Sequence, residues 1–127
     1  MKSVYTNIKQ VLCVKIESGE DILETLQKEI SRRGISSGIV LNGIGSVSRY
    51  HLHVVETTNL PPGDLHYQAE GAFDVDVANG YIIDGKLHVH MVVSDDKHTF
   101  GGHLEPGTVA LTFCTVTIAE TPESPFS

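Results

Sequence analysis

A chain of 127 residues, 40% hydrophobic and 20% charged, has apolar material for one core and excludes a disordered chain: burying roughly two-thirds of the unfolded surface offsets the cost of ordering. The formal charge of −7, nine Lys and Arg against sixteen Asp and Glu, repels a phosphate backbone over most of a folded surface and argues against direct DNA binding. No apolar run is long enough to span a bilayer, and residues 1–5 show no apolar stretch ending in a small-residue cleavage site, so the expectation is a cytoplasmic protein without a membrane partner.

Val11-Leu12-Cys13-Val14-Lys15-Ile16 is a β-rich run that ends at Glu17-Ser18-Gly19. Over residues 20–33, Ile22, Leu23, Leu26 and Ile30 recur at helical spacing and Gly34 follows the last turn, which predicts a helix with an apolar stripe. Lys28, Arg32 and Arg33 sit at its end, where cations complement the dipole. After Gly34 the sequence is strand and turn. Strands are expected at 39–41 and 47–55, separated by Asn42-Gly43-Ile44-Gly45, which reads as a bend because no third glycine completes a nucleotide-binding fingerprint.

Pro61-Pro62 breaks the ladder in the loop that follows. Further strands are expected at 65–69, 73–77, 81–83 and 86–94, the last behind an Asp84-Gly85 turn signal. Residues 108–119 form a final strand with apolar residues on both faces, as if covered by the fold on one side and by a helix or second subunit on the other. Residues 120–127, with two prolines, read as a flexible tail, and 1–127 as a single domain. The class is α+β: a strongly twisted, mostly antiparallel sheet or partial barrel of about seven strands with one packed helix. Cys13 and Cys114, both inside expected strands, read as partly buried reduced thiols.

Seven histidines carry the chemical signal. In Leu87-His88-Val89-His90-Met91, the period of two sends His88 and His90 to one strand face, with Cα atoms about 6–7 Å apart, where both imidazoles can reach one ion. A third ligand comes from His98 or from His103, which Gly101-Gly102 can return to the pair by a tight turn after the Ser94-Asp95-Asp96-Lys97 turn. Three neutral imidazoles suit zinc, or nickel, iron or copper, and leave a position open for water or a small ligand; the alternative is a polar strand face under a loop. His51 and His53 repeat the strand spacing and extend the cluster, form a second site, or simply face solvent. Glu70 and Glu105 are the candidate bases or partners of a ligating imidazole, against a plain role as surface carboxylates. There is no Gly-x-Ser-x-Gly elbow, Walker A loop or His-Glu-x-x-His helix, so catalytic residues stay unassigned.

LHVHMVVSDDKHTFGGHL, with NGIGSVSR upstream, EGAFDV between and VALTFCTVTIAE at the end, resembles the PPC (plants and prokaryotes conserved, DUF296) family over residues 7–120. The resemblance implies a curved antiparallel sheet with a packed helix, assembly as a homotrimer, and in some prokaryotic members a metal at the positions of His88, His90 and His103. In plants the domain follows AT-hook arms, and the family carries a DNA-binding label; no Arg-Gly-Arg-Pro arm occurs in this chain, and His51 and His53 lie outside the family pattern. The functional expectation is a metal-containing ligand-binding or accessory module, with a DNA-associated regulatory protein and a metal-dependent enzyme as alternatives.

Overall fold

The computed structural model describes residues 1–123 and 126. Six strands and one helix follow in the order β1 (Gln10–Glu17), α1 (Ile22–Arg33), β2 (Ser37–Val55), β3 (Asp64–Ile83), β4 (Lys86–Ser94), β5 (Thr99–Leu104) and β6 (Val109–Glu120). All pairings are antiparallel, in the sheet order β1-β6-β2-β3-β4-β5. β5 then returns to β2 through Leu52↔Leu104 and His53↔His103, which closes β2, β3, β4 and β5 into a ring. β2 is long enough to carry both β6, along Gly38 to Arg49, and β5 beyond it. The class expected from the sequence is the one observed.

The expected strands at 39–41 and 47–55 are one strand, and those at 65–69, 73–77 and 81–83 are another. Glycine is compatible with a break, but here it serves close approach: at Gly45, φ is 157° and a Cβ would stand 2.1 Å from the Phe113 carbonyl oxygen of β6. The Asp84-Gly85 turn is present, with both residues at positive φ. β5 is a strand that the local sequence does not predict. Six residues with two glycines carry too little β-propensity to be seen locally, and its partners on both sides supply the ladder.

α1 starts at Asp21, whose side chain accepts from the Glu24 amide at 3.0 Å, and ends at Gly34 with φ 69°. Ile22, Leu26 and Ile30 are fully buried against the sheet, each stabilising by about 1.5–3 kcal/mol as an upper bound. The core continues through Val40, Leu52, Val89, Met91, Leu104 and Ile118. Gln27 pins the helix to the β3–β4 hairpin by donating to the Gly85 carbonyl (2.8 Å) and accepting from the Leu87 amide (3.0 Å). At the helix end, Arg32 and Arg33 both pair with Glu29, so these cations are already partnered.

Alternation in β6 buries Cys114, Val116 and Ile118 and leaves Leu111 and Phe113 exposed on the other face. Burial raises the Cys114 thiol to about 11, which makes it an unreactive core residue, whereas Cys13 is exposed on β1 rather than partly buried. Of the residues expected in the tail, Glu120 ends β6, and Thr121, just past it, is buried with its amide donating to the Ser37 carbonyl. Residues 124, 125 and 127 lie outside the described residues. Among those described, no helix is long and apolar enough to cross a membrane.

Candidate metal centre

β4 alternates as its sequence dictates, with Leu87, Val89 and Met91 buried and His88 and His90 exposed on the other face. The two Nε2 atoms stand 3.3 Å apart and the rings stack. Two nitrogens on a tetrahedral zinc with bonds of 2.0–2.1 Å are about 3.3 Å apart, so this pair already has the spacing of one edge of such a site.

His103 faces the pair because β5 runs antiparallel to β4 with His90 and His103 as direct partners. Its ring lies edge-on to both, with centroids 4.6 Å from His88 and 5.7 Å from His90. The structure thus brings together the three histidines expected from the sequence: the chain reverses near the expected 94–97 turn, where the Asp95 carboxylate accepts from the Lys97 and His98 amides, but Gly101 and Gly102 lie inside β5 and make no turn of their own. Gly102 is what lets β5 lie on β2, because a Cβ there would come within 2.7 Å of the His53 carbonyl oxygen. His98, the alternative third ligand, sits at the hairpin end against Asp95 and Phe100, about 16 Å along the strand from His103.

Register also gathers residues that the sequence left open or unnoticed. On β2, His53 is the cross-strand partner of His103, and the rings stack at 4.4 Å. Its Nδ1 lies 2.6 Å from Glu105 Oε1. That same oxygen is 3.5 Å from His103 Nδ1, the one buried side-chain nitrogen or oxygen among the described residues with no hydrogen bond. His53, His103 and Glu105 bring one donor atom each within 4.8 Å of one another. His66, not singled out from the sequence, is the partner of His53 on β3, and its Nδ1 is 2.8 Å from His51 Nε2. Only the period of two in Leu65-His66-Tyr67-Gln68 hinted at it, and register was needed to place it. Six of the seven histidines therefore form one array across β4, β5, β2 and β3. Glu70 is elsewhere, exposed and paired with Arg49.

The electrostatics favour neutral imidazole, the form that ligates metals. Burial, followed by His88 and His53, holds His90 below the usual histidine value. For His103, burial and then His53 and His88 lower it further than the opposing pull of Glu105 raises it. Beside the centre, a cleft of about 830 Å³ opens between α1 and β4; His88, His103 and Glu105 line it together with Leu23, Lys28 and Leu87. That volume is in the range of small-molecule sites.

A profile of the Plants and Prokaryotes Conserved (PCC) domain matches residues 3–122. Among solved structures, the metal-containing protein AF0104 of Archaeoglobus fulgidus is similar at TM-score 0.83 and 15% identity, over 98% of this chain and 88% of that one. A plant- and prokaryote-conserved (PPC) protein of Pyrococcus horikoshii gives 0.80 and 20%, over 95% and 85%. A candidate DNA-binding protein of Bacteroides thetaiotaomicron gives 0.78 and 19%, over 94% and 86%. At these identities the likeness is one of fold. In sequence, 115 residues are 29% identical to the bifunctional protein GlmU of Synechococcus sp. strain JA-2-3B'a(2-13), covering 90% of this chain and 17% of that protein. The chain thus spans under a fifth of the length of that curated relative.

Proposed function

The chain belongs to the Plants and Prokaryotes Conserved domain family, and from that premise we propose that it is a metal-containing ligand-binding module in which His88, His90 and His103 hold one divalent metal, zinc. The observation that carries this reading is the 3.3 Å spacing of the His88 and His90 Nε2 atoms, with His103 set against both. The buried, unpartnered Nδ1 of His103 supports it, since an imidazole that ligates through Nε2 donates Nδ1–H to a carboxylate, and Glu105 is the carboxylate in reach. Three protein ligands leave one position of a tetrahedral ion for an oxygen or nitrogen of a small ligand, held in the adjoining cleft with its apolar part on Leu23 and Leu87. Elemental analysis of the untagged chain, stripped with chelator and reloaded with zinc, tests the reading: H90A carries one equivalent less than wild type, and equal content in the two refutes it.

Assembly as a homotrimer belongs to the same proposal. Ile44 of β2 and Leu111 and Phe113 of β6 share a sheet face and are 38–53% exposed, an apolar surface suited to a second copy of the chain. A strictly monomeric mass at micromolar concentration refutes that part. A metal-dependent enzyme is the second reading, favoured by Glu105, which lines the cleft with His88 and His103 and is placed to hold a proton beside a metal-bound ligand. Turnover of a small carbonyl or ester compound by the zinc form, lost in E105Q held at saturating zinc, distinguishes the enzyme from the binding module. Direct DNA binding is disfavoured by the charge of −7 and by the pairing of Arg32 and Arg33 with Glu29. Specific binding to an A·T-rich duplex that survives about 0.15 M salt would reverse that judgement.

A further inference from the structure

We propose that His51, His53 and His66, with Asp64, form a second transition-metal site on β2 and β3, separate from His88, His90 and His103. The first observation is that the free nitrogens of His51 and His53 are already selected. His51 Nδ1 lies 2.8 Å from the Pro106 carbonyl oxygen, which only accepts, so in the neutral ring Nδ1 carries the proton and Nε2 keeps a lone pair. His53 Nδ1 lies 2.6 Å from Glu105, which in the neutral ring selects the same tautomer and leaves Nε2 free on the side of Asp64, 3.6 Å away. A carbonyl or a carboxylate on the far nitrogen is the arrangement that orients ligating histidines.

The second observation is convergence by register. His51 and His53 are two apart on one face of β2, Asp64 and His66 are two apart on β3, and His53 is paired with His66 and Val55 with Asp64. His66 Nδ1 reaches His51 Nε2 at 2.8 Å, and its ring is 5.3 Å from that of His53. The 2.8 Å contact is a hydrogen bond in which His66 donates. An ion replaces that proton as His66 shifts its hydrogen to the other ring nitrogen, and the pair opens to about 3.3 Å. The four donors do not yet surround one point. His66, which is exposed, and Asp64, which is 58% exposed, are the side chains with solvent on one side into which they can rotate to close the set. Three imidazoles and a carboxylate suit zinc, nickel or copper.

Glu105 is better read as a shared support than as a ligand. Its 2.6 Å contact with His53 is a charge-assisted hydrogen bond, too short for two ligands on one ion, and the same oxygen faces His103 of the other centre. The two centres thus lie on either side of the stacked His53–His103 pair.

The experiment counts zinc by elemental analysis, and follows cobalt(II) absorption, in the untagged full chain after chelator stripping and reloading. Wild type should hold two ions per chain, and H88A/H90A and H51A/H66A one each. H66A in the H88A/H90A background, a change at an exposed side chain, should remove the remaining ion without lowering the melting temperature of the metal-free protein. One ion in wild type that is kept in H51A/H66A and lost in H88A/H90A overturns this site and leaves the first standing. One ion kept in H88A/H90A and lost in H51A/H66A supports this site and refutes the other. No ion in any variant overturns both.

Discussion

Gly102 and Gly101 are neighbours in β5, yet methyl groups added to them meet different surroundings. At Gly102 a Cβ would stand 2.7 Å from the His53 carbonyl oxygen and 3.2 Å from Leu52 Cβ, while at Gly101 the nearest atoms are Val92 Cγ2 at 3.4 Å and Met91 O at 3.6 Å. Relieving the contact at Gly102 requires β5 and β2 to part by about half an ångström where the ring closes, because both close atoms belong to the packed β2 strand. Overpacking of this kind costs about 1–3 kcal/mol. G101A meets ordinary contacts and should stay within about 0.5 kcal/mol of wild type, as changes free of a packing conflict do. The same displacement moves His103 relative to His88 and His90, so G102A should also weaken zinc binding by about 10–100-fold, the range seen when a ligand's support is disturbed. Urea unfolding of the metal-free chain reads the first effect and competition with a chromophoric chelator the second. Equal stability loss in G101A and G102A, or unchanged zinc affinity in G102A, would refute the account of how β5 delivers His103.

Acidity should oppose both folding and metal uptake. His90 and His103 sit below the usual value of 6.5 in the fold, so their stabilising contribution is complete above pH 6.5 and is lost as pH falls from there toward their lowered values. The urea midpoint of the metal-free protein should fall over that window and zinc affinity with it; a midpoint that rises on acidification contradicts the sign. E105Q removes the charge facing His53 and His103 and should weaken zinc by about 10–100-fold with little change in the fold, measured by competition titration and circular dichroism. Asp21 accepts from the Glu24 amide and, through its other oxygen, from the Gly107 amide, so D21A should cost about 1–2 kcal/mol in urea unfolding; a loss below about 0.5 kcal/mol argues against the cap. I44D/F113D should shift the assembled protein to monomer by sedimentation, and an unchanged mass would place the contact on another face.

Local pattern in the chain is enough to define the helix and its Gly34 end, the Asp84-Gly85 hairpin, and the common face of His88 and His90, because each depends on residues within one turn or two strand positions of each other. Those elements are local. The rest of the site rests on register between strands. His103 meets His90 across β4–β5 and His53 across β5–β2, and His53 meets His66 across β2–β3, pairings that span from 13 to 50 positions of sequence. Which residues face each other there follows from burying Leu52, Leu104, Met91 and Val89 on the opposite face, since a slip of one residue would turn every histidine into the core. The glycines show the same division. Gly45 and Gly102 read locally as a bend and a turn, but they are strand positions where a neighbouring backbone comes too close for a side chain: β6 lies against Gly45 once it pairs with β2, and β2 lies against Gly102 only once the ring has closed.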